Sequence, residues 1–159
     1  MAGAPRAGAR SSEAPAWAAG TWVGRRLLPN APLAVLEVGD GDDDVELPTD
    51  LRDQVADEHT GVLVLADGAT CHGAPAPTEP DAPAGSFEQS LHAVLATGDP
   101  ARLLGWCRSN RILGRRLGAT APRSLAVLAE LASGRRWAAA AHYLGAPFGV
   151  GYHVAAWWR

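Results

Sequence analysis

Residues 60–72 read TGVLVLADGATCH, and the fold prediction starts from this stretch. Its first part, residues 60–66, is a continuous apolar run of strand length followed by an Asp-Gly turn, which is typical of a parallel strand buried on both faces. An earlier apolar run at residues 33–38 also predicts a buried strand. Between the two, residues 47–58 (LPTDLRDQVADE) combine a helix start signal with one apolar face. Strand, helix and strand predict a βαβ unit, and so an α/β fold with an open, mostly parallel sheet flanked by helices.

The rest of the chain predicts further helices and one last strand. Ser86 is expected to cap a helix over residues 86–96, and Asp99 to cap a helix over residues 99–106 that has proline at its first position. The remaining predicted elements are helices over 21–28 and 122–133 and a strand over 151–157. Residues 1–19 are almost all Ala, Gly, Pro, Ser and Arg, so a flexible leader is expected before a single domain at residues 20–159.

The composition excludes several classes of protein. All 14 basic residues are arginine. Without lysine, the chain cannot form a Schiff base, a Walker-type phosphate site or a Ser–Lys dyad. The formal net charge of −3 argues against binding to nucleic acid or to an anionic membrane surface.

The two cysteines and the hydropathy pattern bear on localisation. Cys71 and Cys107 are too far apart in sequence for a CxxC motif and too few for a disulfide framework, which favours the reducing cytoplasm. No apolar run reaches the roughly 18 residues that a membrane span requires. The first 20 residues lack the apolar core of a secretory signal. We therefore expect a cytoplasmic protein.

The acidic run and the histidines carry no local metal signature. Residues 40–44 (DGDDD) begin like an EF-hand loop, but the glycine and the bidentate glutamate of that motif are absent, which favours a solvated loop. The five histidines show neither HxH nor HExxH spacing. His92 on a predicted helix and His153 in the predicted last strand are interpreted as structural.

His72 is the strongest functional candidate by position. It lies in a Gly/Pro-rich loop directly after the predicted strand at 60–66, where α/β enzymes keep their chemistry. A purely structural role for His72 stays open. Cys71 is adjacent, but neighbouring side chains on an extended chain point apart, so a Cys–His hydrolase is disfavoured. The absence of GxSxG disfavours a serine hydrolase.

Five motifs occur in an order that carries a resemblance: VLVLADGATCHGAPAP, SFE, ATGDPARLL, APRSLAVLAELASG and GAPFGVGYHVAAWW. Over about residues 20–158 the chain resembles a group of actinobacterial proteins that are like the B-type subunit of class III extradiol ring-cleavage dioxygenases. The ending APFGVGYHVAAW is the most specific element of the resemblance.

The resemblance implies that one histidine side chain transfers protons to and from the substrate. Enzymes of the wider superfamily bind non-haem Fe(II) through two His and one Glu, and a further His moves protons on a catechol. The stretch from Ala66 to His72 is similar to that last element, which implies His72 as the acid/base residue with Asp67, Gly68 and Thr70 beside a small aromatic substrate.

The resemblance also implies that the iron ligands are missing. The resemblance implies that the two histidine ligands belong to an N-terminal half, which we expect this chain to lack, and no acid stands in the segment Ala121–Ser124, where the carboxylate ligand is expected. The leading expectation is therefore an impaired or inactive protein similar to the B-type subunit of an extradiol dioxygenase. The alternative is a non-catalytic binding or assembly module that pairs through an edge strand, either with a second copy or with a partner that supplies the missing half.

Overall fold

The computed structural model describes residues 17–32, 34–39, 47, 49–57, 59–73 and 76–159. The chain forms two compact units, Met1–Glu37 and Val38–Arg159. In the first unit, helix α1 runs over Trp17–Leu27 and so begins within the expected leader. Residues 1–16 of the leader expected at 1–19, and the acidic run at 40–44, lie outside the described residues.

The second unit mixes helices with strands, so the chain is α/β at this coarse level. Strands β1 (Ala138–Gly145) and β2 (Tyr152–Trp158) form a two-stranded antiparallel sheet with an irregularity between Ala141 and Tyr143. No helix among the described residues is long and apolar enough to cross a bilayer. The elements are α2 (Thr49–Ala56), α3 (Ala84–Leu95), α4 (Pro100–Arg116), α5 (Ala121–Leu131), β1 (Ala138–Gly145) and β2 (Tyr152–Trp158).

The predicted N-cap is found at the start of α4 but not at the start of α3. The Asp99 carboxylate accepts hydrogen bonds from the N–H groups of Ala101 and Arg102 at 2.9 and 3.1 Å, as an N-cap does. Helix α4 continues ten residues beyond the predicted end. Ser86 does not cap α3: the helix begins at Ala84, and the Ser86 hydroxyl donates to the Pro83 carbonyl.

The core lies where the three long helices and the sheet meet. One cluster joins α3, α4 and α5, and the side chain of Trp157 from β2 packs against it. The Trp157 indole N–H also donates to the carbonyl of Leu95 at the end of α3. A second, smaller cluster surrounds Phe87 and includes Ala69 and Cys71 from the loop that precedes α3. This loop is therefore part of the packed interior.

The two predicted parallel strands are not strands in this structure. Residues 34–38 and 60–66 have no regular secondary structure, and Leu33 lies outside the described residues. A strand requires a neighbour that takes its backbone hydrogen bonds, and residues 61–66 form none with the described part of the chain. Val64 packs against the core, whereas the flanking apolar side chains are exposed. Apolar composition predicts a strand here, but the pairing partner is missing among the described residues.

Candidate functional site

The loop from Asp67 to His72 is held in place mainly through its backbone. The Asp67 N–H donates to the Thr120 hydroxyl oxygen at 2.8 Å. The Asp67 carbonyl accepts from the N–H groups of Thr120 and Ala121, both at 3.0 Å, where α5 begins. The Thr70 N–H donates to the Leu117 carbonyl at 2.8 Å. Asp67 and Thr70, both predicted beside a substrate, thus anchor the loop to the ends of α4 and α5.

The same loop also runs alongside the segment that leads into β2. The Gly68 N–H donates to the Gly151 carbonyl at 3.3 Å, and the Gly151 N–H donates to the Ala69 carbonyl at 2.8 Å. The His72 N–H donates to the Gly149 carbonyl at 3.1 Å. Because residue 68 meets 151 and residue 72 meets 149, the two segments run in opposite directions. This pairing brings His72 close to the start of β2.

A buried carboxylate lies between these segments. Glu88 projects from α3, and its side chain is only 3% exposed. One oxygen, Oε1, accepts a hydrogen bond from the Ala69 N–H at 2.5 Å. The other, Oε2, is in direct hydrogen-bond contact with His153 Nε2. His72 Nε2 lies 3.6 Å from Oε1. We call His72, Glu88 and His153 the imidazole–carboxylate cluster.

Two glycines make room for the Glu88 carboxylate. A Cβ on Gly68 would lie 2.7 Å from Glu88 Oε1 and 2.6 Å from the Gly151 carbonyl oxygen. A Cβ on Gly151 would overlap both carboxylate oxygens of Glu88. Real Cβ atoms do not approach so closely, so each position requires glycine for space alone. The close approach of backbone to carboxylate thus depends on two residues that are remote in sequence.

The electrostatics of the cluster favour an ionised carboxylate. Burial alone raises the pKa of the Glu88 carboxyl, since the charged form loses its hydration. Hydrogen bonds from His153 and the Ala69 N–H, together with the nearby His72 ring, outweigh burial and hold the pKa below its ordinary value of 4.5. The cluster therefore contains a buried negative charge at neutral pH.

Several imidazole nitrogens around this charge are themselves buried. His72 Nε2, His153 Nδ1 and His92 Nδ1 are buried and have no hydrogen-bond partner among the described residues. The rings of His92 and His153 lie 6.0 Å apart between centroids. The His72 side chain keeps 14% of its surface exposed, and because Nε2 is buried, this exposed part belongs to the other atoms of the side chain. The His72 side chain thus lies between the buried Glu88 carboxylate and the protein surface.

The two cysteines are not nucleophiles in this arrangement. Both are buried and free of disulfide bonds. Burial raises the pKa of the Cys107 thiol to about 12 and raises the pKa of Cys71 above its usual range. The Cys71 thiol donates to the Leu117 carbonyl at 3.8 Å.

The cluster has the residue types of a two-His-one-carboxylate iron site, but its geometry does not fit that role. Metal-bound donors surround the ion at about 2.0–2.2 Å. Here Glu88 Oε2 contacts His153 Nε2 directly and Oε1 already accepts the Ala69 N–H, so no ion fits between these donors. The described residues contain no group of three or more His, Cys, Asp or Glu side chains able to hold a metal ion.

Two surface grooves lie elsewhere. Their volumes are about 150 and 500 Å³, and both are lined by Arg52, Glu130 and Arg135. None of the cluster residues lines either groove. These two grooves therefore lie apart from the imidazole–carboxylate cluster.

Sequence reasoning finds one member of the cluster and misses two. It singles out His72, whereas it interprets His153 as structural and does not identify Glu88. A usable signal exists for Glu88: residues 84, 88, 91 and 95 follow helical spacing, and the other three are apolar. An acid on the buried face of an amphipathic helix requires a hydrogen-bonding or charged partner. No local pattern singles out His153.

Comparison of the chain with protein-family models, with curated proteins and with solved structures finds no match.

Proposed function

We propose that this chain is a domain similar to the B-type subunit of extradiol dioxygenases, which binds a catechol-type ring beside His72 and exchanges a proton with one of its hydroxyls. The observation that carries the proposal is the imidazole–carboxylate cluster. A partly exposed imidazole backed by a buried carboxylate is a common arrangement for a general base, because the carboxylate stabilises the imidazolium that forms. The resemblance of the sequence supplies the class of ligand.

Ring cleavage is not part of this proposal for the chain alone. Insertion of both atoms of O2 into a catechol, as the resemblance implies, uses Fe(II) as the site where ring and oxygen meet. The geometry of His72, Glu88 and His153 does not fit that ion. We therefore propose that the chain binds a catechol-type ring and exchanges a proton with it. Fe(II)-dependent ring cleavage is the experimental outcome that would replace this proposal.

The finer fold and the localisation belong to the same proposal. We propose that residues 60–66 join an open, mostly parallel sheet when a neighbouring strand is supplied, which would complete the fold that the resemblance implies. Exposed apolar side chains along this run support the idea, since they need a covering layer. Free cysteines at positions 71 and 107 support a cytoplasmic location.

The test uses 4-nitrocatechol, whose absorption spectrum changes when it loses a proton. On binding to the wild-type protein we expect the spectrum of the deprotonated form at a pH where the free compound is still partly protonated. His72→Gln should abolish this change, and His59→Gln is the matched control because His59 is exposed and lies between α2 and the run at 60–66. Equal spectra for the His72 variant and the wild type, or no binding at all, would refute the proposal.

A parallel arm tests iron. The protein is incubated with Fe(II) under anaerobic conditions, its iron content is measured, and oxygen uptake is followed with a panel of catechols. We expect substoichiometric iron and no uptake. Stoichiometric iron with turnover that His72→Gln abolishes would show a dioxygenase in place of a binding protein.

A specific observation favours a second candidate function, assembly through residues 61–66. Val62 and Leu63 are 42% and 48% exposed, and the backbone of this run makes no hydrogen bond within the described part of the chain. Its occupant is proposed to be the same run of a second copy, because two identical segments can pair antiparallel and satisfy each other's donors and acceptors.

Multi-angle light scattering of the purified chain tests the assembly. We expect a dimer for the wild type and a monomer for Leu63→Lys. Ile112→Lys is the control, since Ile112 is 87% exposed on α4 and lies outside the run. A monomeric wild type, or a dimer that Leu63→Lys leaves intact, would exclude this pairing.

A further inference from the structure

The proton on the His72 ring can be located from its surroundings. A neutral imidazole carries its proton on one nitrogen only, and the group that faces each nitrogen decides which one. His72 Nε2 is buried, has no hydrogen-bond partner in the described part of the chain and lies 3.6 Å from Glu88 Oε1. That oxygen belongs to an ionised carboxylate that is 3% exposed.

A lone pair on Nε2 would face this anion across a medium of low dielectric constant. The repulsion between them is largely unscreened there, whereas an Nε2–H group is attracted to the oxygen. The other groups near the carboxylate do not remove this preference. The Ala69 N–H and His153 Nε2 both donate to it, and neither changes the sign of its charge.

We infer that Glu88 is a positioning residue that holds His72 in the Nε2–H form, so that Nδ1 is the nitrogen that accepts a proton from a hydroxyl-bearing ligand. The step is a simple transfer: the ligand's O–H bond breaks, an Nδ1–H bond forms, and the resulting imidazolium remains beside the Glu88 carboxylate. This inference rests on the proposed function for the identity of the ligand. The assignment of the tautomer itself does not.

The backbone around His72 supports a fixed ring. Its N–H donates to the Gly149 carbonyl at 3.1 Å, and the preceding Cys71 carbonyl accepts from the Asp81 N–H at 3.3 Å. Asp81 is in turn clamped by the Arg116 guanidinium through two hydrogen bonds of 2.7 and 2.8 Å. These bonds fix the peptide unit between Cys71 and His72, and so the position from which the His72 side chain extends toward Glu88.

Long-range ¹H–¹⁵N correlation spectra of histidine-labelled protein test the inference without any ligand. They are recorded at about pH 8, above the ordinary range of imidazole titration, and the His72 signals are identified by their loss in His72→Gln. We expect the Nε2–H form in the wild type and in Glu88→Asp, which keeps the charge. In Glu88→Gln the amide oxygen keeps the Ala69 N–H and the amide NH2 faces His153. His72 Nε2 then faces an uncharged acceptor, so the share of the Nε2–H form should fall, while the His59 ring stays unchanged.

The same variants are then titrated with 4-nitrocatechol. The deprotonated bound form should fall about tenfold or more in Glu88→Gln, because the imidazolium formed by proton transfer no longer has a carboxylate beside it, and it should be largely retained in Glu88→Asp. A wild-type ring in the Nδ1–H form, or in an even mixture of both forms, would overturn the inference even if the ligand binds. The Nε2–H form without any binding would sustain the assignment of the proton and refute the proposed function instead. Should Glu88→Gln fail to fold, the wild-type spectrum alone still decides the tautomer.

Discussion

Glu88→Gln is the most informative single substitution for the stability of this fold. It removes the charge and nearly keeps the shape of a side chain that accepts the Ala69 N–H at 2.5 Å and contacts His153. A hydrogen bond to a charged group contributes about 1.5–3 kcal/mol, against about 0.5–1.5 kcal/mol for a neutral one. With two such bonds weakened, we expect the free energy of unfolding to fall by about 2–3 kcal/mol at neutral pH.

Urea unfolding followed by tryptophan fluorescence measures this loss, and the chain has six tryptophans to report it. Glu130→Gln is the matched control because it makes the same chemical change at a surface pair. Glu130 lies 3.4 Å from Arg52, with side chains 34% and 54% exposed. Such pairs contribute about 0–1 kcal/mol. A Glu88→Gln variant that loses no more than the Glu130→Gln control would refute the role of the cluster.

The pH dependence gives an independent check on the same substitution. The Glu88 carboxyl has a lowered pKa in the folded chain, so its contribution to stability is present above the ordinary value of 4.5 and is lost as the pH falls through the lower folded value. The difference in unfolding free energy between wild type and Glu88→Gln should therefore be constant near neutrality and shrink below pH 4.5. A difference that stays the same in acid would show that the loss is steric and not electrostatic.

Three further substitutions or treatments test the surrounding structure. Asp99→Ala removes the cap of α4 and should lower the unfolding free energy by about 1 kcal/mol, measured by urea unfolding; no loss would contradict the capping role. Gly151→Ala places a methyl group against the Glu88 carboxylate and should cost about 1–3 kcal/mol, whereas Gly85→Ala, in open space within α3, should be neutral or stabilising. Cys107, with its thiol pKa raised to about 12, should react with iodoacetamide only after unfolding; rapid labelling of the native chain would show that the thiol is accessible.

Local signals predict the elements whose causes are local. Asp99 followed by proline identifies the start of α4, and helical spacing of apolar residues identifies α5 within two residues at each end. Strand β1 is missed because Ala138–Gly145 is rich in alanine, which has low strand propensity. Its conformation comes from pairing with β2, where Ala139 faces Trp157. A partner remote in sequence overrides local preference there.

The run at 60–66 shows the opposite case. Its composition strongly favours a strand, yet the described residues offer it no neighbour and the structure assigns it none. Strand propensity measures how well a side chain fits a pleated, half-buried surface, so it has no effect without that surface. Apolar sequence therefore predicts where a sheet could extend, but not whether it does.

The candidate site could be predicted only in part because its members meet through long-range packing. Residues 72, 88 and 153 belong to a loop, a helix and a strand, and no sequence spacing relates them. The nearest local trace is a pair of glycines, since a Cβ at 68 or 151 would enter the space of the Glu88 carboxylate. The Glu88 carboxylate therefore fits in its place only if positions 68 and 151 are both glycine. Gly68 lies in the loop of His72 and Gly151 directly precedes β2. The contacts that hold these two segments together therefore also place the His72 imidazole beside Glu88.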